Sequence, residues 1–191
     1  MINPSGSFQE YQYDNFGNRE STVNELQKSW ITEYNEFRRP VKKINPLNLV
    51  TMYSYDLPGG TGRCSHGENK PTKISLPSGK VAEMTYDAEW NKTRDTVGVG
   101  SADEASTFYQ YDIVGRLELM IDPLGRQWRT EYDVMNRKKS ETDPLGNKTE
   151  WTYDVMGRTA TEKRPDGGVS TNKYDDINRL TQTIDNNSRS S

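Results

Sequence analysis

The sequence predicts an all-β chain: tandem antiparallel hairpins, 21 residues apart, in one continuous sheet that curls. Three observations carry this. The phrase Tyr111-Asp112-Ile113-Val114-Gly115-Arg116 returns at 132–137, 153–158 and 174–179, always with Tyr-Asp in front and Arg behind. A second phrase sits at the half period, as Asp122-Pro123-Leu124-Gly125, Asp143-Pro144-Leu145-Gly146 and Arg164-Pro165-Asp166-Gly167. The stretches between the two phrases alternate polar and aromatic or β-branched residues, as a half-buried strand does. A regular beat of roughly 20 to 50 residues marks an array whose units bury themselves only against their neighbours.

In chain order, the first copy is Tyr13-Asp14-Asn15-Phe16-Gly17, and worn copies follow at Tyr34 and Tyr55. The turn Asn45-Pro46-Leu47-Asn48 precedes Tyr55, with its proline nine residues ahead, the spacing that also separates Pro123 from Tyr132 and Pro144 from Tyr153. The grid then slips. Ten extra residues enter before Tyr86, placing a loop at about 59–70, and four enter before Tyr111, placing another at about 95–104. Both insertions are rich in Gly, Ser and Thr and belong on loop tips. Residues 1–191 therefore read as a single array of about eight repeats, beginning at Tyr13, Tyr34, Tyr55, Tyr86, Tyr111, Tyr132, Tyr153 and Tyr174. Both ends fall inside the pattern, so a segment of a longer array is expected.

Within one period the order is turn, strand, turn, strand. Asp112, Asp122, Asp133, Asp143 and Asp154 open turns, where a carboxylate can accept backbone N–H groups, and Pro123 and Pro144 pre-set φ at the next position. Gly115, Gly125, Asn136, Gly146 and Gly157 close turns where a type I turn with a bulge needs a left-handed residue. Four residues beyond the eight tyrosines come Gly or Asn in six cases, with Arg38 and Trp90 the exceptions. The residue before each tyrosine is polar, and two before it stand mostly Tyr, Trp, Thr or Met. About 14 to 17 strands are expected, too many to stay flat under normal twist. A β-propeller is the rival, since two periods equal one four-stranded blade.

Composition narrows the function. Hydrophobic residues are 31% of the chain and mean hydropathy is −1.01. Such values lean toward disorder, but 11 Tyr and 4 Trp supply apolar area in rings that keep a polar tip wet. With 25 basic and 28 acidic residues interspersed, net charge is −3, which leaves no footprint for nucleic acid or an anionic membrane. Cys64 is the only cysteine and His66 the only histidine, so an internal disulfide and a Cys/His zinc site are excluded. No stretch is long and apolar enough for a membrane span, and the first residues lack the features of a signal peptide.

The Tyr-Asp phrase with its Gly-Arg follow-up resembles the YD repeat of the RHS family, which includes the C components of bacterial Tc toxins, the Rhs polymorphic toxins and the teneurins. The resemblance is specific over Tyr111 to Arg179, good at Tyr13 to Arg19 and degenerate from Tyr34 to Trp90. It implies repeats that spiral into a hollow β-shell around a toxin or other cargo polypeptide. The implied partners are flanking segments of a larger shell and that cargo. The implied localisation is secreted, cell-surface or secretion-system associated, since the chain itself carries no address. The family's self-cleaving aspartyl segment has no match here, so no catalytic role passes to Asp122 or Asp143.

Regular aspartates fit turn capping better than acid/base work, which needs convergent carboxylates in a cleft. Cys64-Ser65-His66 reads as an exposed loop, and Gly59 to Arg63 lacks the lysine and helix of a phosphate cradle. Trp30, Tyr53, Tyr109, Trp128 and Trp151 read as cross-strand packing, with glycan stacking at a cell surface as the alternative. No catalysis, metal or cofactor is expected.

Overall fold

The computed structural model describes residues 8–55 and 70–186, which hold sixteen β-strands and no helix. Strand order is chain order throughout. The chain divides into two compact units, 1–106 and 107–191. The first carries β1 (Gln9–Tyr13), β2 (Arg19–Asn24), β3 (Ser29–Tyr34), β4 (Pro40–Ile44), β5 (Val50–Ser54), β6 (Lys73–Ser75), β7 (Val81–Tyr86) and β8 (Lys92–Val97). Next comes β9 (Ala105–Tyr111), then β10 (Leu117–Ile121), β11 (Gln127–Tyr132) and β12 (Lys138–Thr142). The last four are β13 (Lys148–Tyr153), β14 (Thr159–Lys163), β15 (Val169–Tyr174) and β16 (Leu180–Asn186).

From β1 to β8 each strand pairs antiparallel with the next. The same holds from β9 to β16. These are tandem hairpins. Separate four-stranded blades would interrupt each run, so the propeller is rejected.

Each hairpin that follows a repeat tyrosine contains a register shift, except the one after Tyr55, where β5 and β6 pair in even register. The hairpins at the half-period turns contain none. Glu131 pairs with Ser140 but Tyr132 pairs with Lys138, so Lys139 is left over. Thr152 pairs with Thr161 and Tyr153 with Thr159, leaving Ala160 over. A plain alternation of strand faces does not contain this bulge. It resets the phase of the strand and sharpens its local twist.

In the second unit the bulge sorts two faces. Directly paired residues share a side of the sheet. Lys138 therefore stands with Tyr132, whereas Ser140, two residues on, stands with Glu131 and Glu150. One face carries Trp128, Thr130, Tyr132, Thr149, Trp151 and Tyr153. The other carries Glu131, Lys148, Glu150 and Lys163, with Lys148 3.8 Å from Glu131 and 3.3 Å from Glu150, and Lys163 3.5 Å from Glu150. Among the described residues the buried core is small: Leu119, 6% exposed, is its only hydrophobic member, joined by Thr96 and Ser140. A fold so lean in buried apolar area must draw its order from hydrogen bonds and ring contacts between neighbouring hairpins.

Candidate functional site

The chemistry of this chain gathers at its turns. At the Tyr111 copy, Gly115 N–H donates to the Asp112 carbonyl at 3.0 Å and Asp112 N–H donates to the Arg116 carbonyl at 2.9 Å. The Asp112 carboxylate completes the turn: Oδ1 accepts from the N–H groups of Val114 and Arg116, both at 3.0 Å. Its Oδ2 accepts from Arg116 Nε at 2.6 Å. The same three carboxylate bonds recur at Asp133, Asp154 and Asp175. The closing residue is left-handed each time, including Gly115 (φ 84°), Asn136 (φ 64°) and Gly157 (φ 82°). Arg38 (φ 60°) and Trp90 (φ 63°) hold the same conformation without being Gly or Asn. The hairpin's closing bonds over-determine it there. Gly59 and the loop with Cys64 and His66 lie outside the described residues.

Half a period on, Asp122 and Asp143 cap in the same way, accepting from Leu124 and Arg126, and from Leu145 and Asn147. Pro123 and Pro144 fill the next position, with Gly125 (φ 76°) and Gly146 (φ 83°) left-handed. In the first unit Asn24, Asn35 and Asn45 take the aspartate's place and accept the same pair of N–H groups.

Fixing the arginine has a consequence one repeat away. Arg116 lies over the Tyr132 ring at 4.6 Å from the centroid, Arg137 over Tyr153 at 4.3 Å and Arg158 over Tyr174 at 4.4 Å. In the first unit Arg39 lies over Tyr55 at 4.8 Å, and Lys70 over Tyr86 at 5.8 Å. The tyrosine then reaches back: Tyr132 O–H donates to the Leu117 carbonyl at 3.2 Å, Tyr153 to Lys138 at 2.6 Å and Tyr174 to Thr159 at 2.9 Å. Tyr34, Tyr55 and Tyr86 do the same to Arg19, Pro40 and Pro71. Arg116 and Arg158 also donate to the side chains of Asn136 and Asn178 in the following turn. The phrase is thus one device. Aspartate holds its own turn and its arginine, the arginine covers the next tyrosine, and that tyrosine bonds the strand before it. Sequence reasoning missed the arginine's role, although Gly-Arg followed Tyr-Asp in plain view.

These contacts set the electrostatics. The Asp133 carboxyl is held below the usual carboxylate range, first by the Arg137 guanidinium and then by the Arg137 amide. Asp175 is lowered first by the Arg179 amide and then by its guanidinium. Each aspartate is thus engaged in its own turn. A hollow of about 510 Å³ in the first unit is lined by Asp14, Glu20 and Glu33 among others, but Asp14 caps its turn and Glu33 pairs with Lys42 at 2.7 Å. Among the described residues no group of three or more His, Cys, Asp or Glu could hold a metal ion.

The aromatic residues stand in cross-strand rows. Tyr109 and Trp128 flank Met120 on adjacent strands. Trp30 lies opposite Thr22, and Tyr53 opposite Ile74. Cations cover three of the rings: Lys43 lies 5.5 Å from Tyr53, Arg126 5.6 Å from Trp128 and Lys138 5.8 Å from Trp151.

Residues 139–169 match the family model described as RHS Repeat. No curated protein matches the chain. Solved structures do. The crystal structure of TcdB2-TccC3-TEV superposes with a TM-score of 0.56 at 14% identity, covering 95% of this chain. That of TcdB2-TccC3-Cdc42 gives 0.53 at 13% identity over 93%. A Photorhabdus luminescens Tc holotoxin pore with a substituted TccC3 gives 0.54 at 14% over 94%. At such identity the likeness is one of fold. This chain spans 11% of the length of each of those chains.

Proposed function

We propose that this RHS-repeat chain is a wall segment of a curled β-shell that encloses a toxin or other cargo polypeptide, and that it works by containment, without catalysis. The observation that carries the proposal is the repeat-to-repeat device of aspartate, arginine and tyrosine in a sheet with almost no core of its own. Such a sheet is a strip that can be lengthened repeat by repeat, which suits a wall better than a cleft. Likeness to components of Tc toxin assemblies supports the same reading, as does the engagement of every turn aspartate described above within its own hairpin. Glycan recognition by the aromatic face is not favoured, because cations already cover Tyr53, Trp128 and Trp151. On this reading the partners are flanking segments of the shell and its cargo, in a secreted, cell-surface or secretion-system setting.

The test is protease protection in the full-length gene product. Any non-repeat polypeptide encoded with this array should resist digestion while the repeats are intact, and Arg137→Ala together with Arg158→Ala should expose it. Digestion of that polypeptide at the rate of the same segment expressed alone would overturn the proposal.

A further inference from the structure

The turn tips of the second unit carry apolar side chains that their turns do not need. Position two after the repeat tyrosine is Ile113, Val134 and Val155 in three consecutive copies, exposed to 103%, 97% and 102%. Their followers Val114, Met135 and Met156 are also exposed. This place in a type I turn accepts most residues and gains nothing from a β-branched one. The array proves it, since the fourth copy has Asp176 there. On the opposite margin the half-period tips are Leu124 and Leu145, exposed to 77% and 86%, and the next copy has Asp166. The two tip positions are therefore apolar over the same stretch and acidic in the next copy, where Ile177 beside Asp176 is still apolar and exposed.

Successive tips on one margin are two strands apart, roughly 9.6 Å. Three teeth on one margin leave two gaps, and the other margin offers two teeth at the same pitch. On the half-period margin Arg126 offsets Asp122, and Asp143 is held by the Asn147 amide. On the tyrosine margin each aspartate is cancelled by its own arginine at 2.6 Å, as in Arg116–Asp112, Arg137–Asp133 and Arg158–Asp154. Those arginines are already held, so the ridge offers no loose cations to an anionic bilayer.

We infer that the Ile113–Val134–Val155 ridge docks against the Leu124–Leu145 margin of a second copy of this array, meshing tip into gap. Only an object of the same period matches such a comb along its length. Opposite-margin pairing repeated from copy to copy covers both apolar rows of each inner copy by one kind of contact. Opposite-margin contact is also open-ended, so strips laid side by side would extend into a wall. The inference rests on the wall-segment reading and supplies its seam. A cargo that stays protected while the ridge proves inert would sink the seam alone.

The experiment is sedimentation of the 191-residue chain over a concentration series, beside Val134→Asp/Val155→Asp and Leu124→Asp/Leu145→Asp. Asp176 and Asp166 show that the turns accept these substitutions, and circular dichroism verifies that the sheet is kept. Each double variant should weaken self-association at least tenfold. In a Cys64→Ser background, mixed Met135→Cys and Leu145→Cys chains should form cross-linked heterodimers in preference to either homodimer. Thr183→Lys, which places an edge charge on β16 to discourage strand addition, should leave association within twofold. A wild-type chain that stays monomeric, ridge variants that associate like wild type, loss of association only in Thr183→Lys, or ridge variants that lose only binding to zwitterionic lipid vesicles would each overturn the inference.

Discussion

Each turn aspartate performs three bonds at once, and its ionised form is the one that performs them. Asp133 accepts from Met135 N–H, Arg137 N–H and Arg137 Nε, so its folded-state pKa lies below its unfolded value. The sign follows from linkage. Stability from such a group is fully present above the unfolded carboxyl pKa and is lost as pH falls through the lower, folded value. Asp14, Asp112, Asp122, Asp143, Asp154 and Asp175 are lowered as well. Thermal melts should therefore hold steady near neutrality and fall steeply below the ordinary carboxyl range. Asp133→Asn should flatten that fall slightly while keeping the turn, since Asn35 and Asn45 cap equivalent turns. An acid limb unchanged in this variant would contradict the assignment. The closing residue gives a second test. Gly157→Val places a β-branched residue at φ 82°, which should cost roughly 1–3 kcal/mol. Asn91→Ala removes a single side-chain bond to Asp87 at 3.0 Å and should cost less, about 1 kcal/mol. Equal melting temperatures would remove left-handed strain from the account.

Between hairpins, the decisive pair is an arginine and the tyrosine of the next repeat. Arg137 over Tyr153 at 4.3 Å should contribute about 0.5–1 kcal/mol, and the Tyr153 O–H bond to Lys138 at 2.6 Å about 1 kcal/mol. In chemical denaturation, Arg137→Ala, Tyr153→Phe, Tyr153→Ala and the double alanine variant should show favourable coupling between 137 and 153 of roughly 0.5–1.5 kcal/mol. Additive losses would mean that the ring and the guanidinium merely sit side by side. Much of this scale was legible beforehand. The 21-residue beat and the hairpin order rest on turn chemistry that is local, so Asp-x-x-Gly reads the same in a sequence as in a fold. The bulge at the turn was legible in its Gly or Asn, but the second bulge, in the strand beyond the turn, was not. Its extra residues include Val41, Glu118, Lys139 and Ala160, which share no chemistry, so only pairing reveals them. The arginine stack escaped notice because its partner lies sixteen residues ahead, beyond the reach of a turn motif.

Across the described strands, stability comes from neighbours rather than from a shared centre. Leu119 alone makes the buried apolar core, and the paired strands are all next to each other in sequence. Such a chain should behave as a one-dimensional array, in which a lost contact is felt by the repeats beside it and fades with distance. Native-state amide hydrogen exchange of wild type and Arg137→Ala measures this directly. The account predicts lost protection concentrated in β11 to β14, on either side of the missing stack, with β1 to β4 unchanged. A uniform loss across all sixteen strands would contradict it, because only a single cooperative core spreads one local defect over the whole chain.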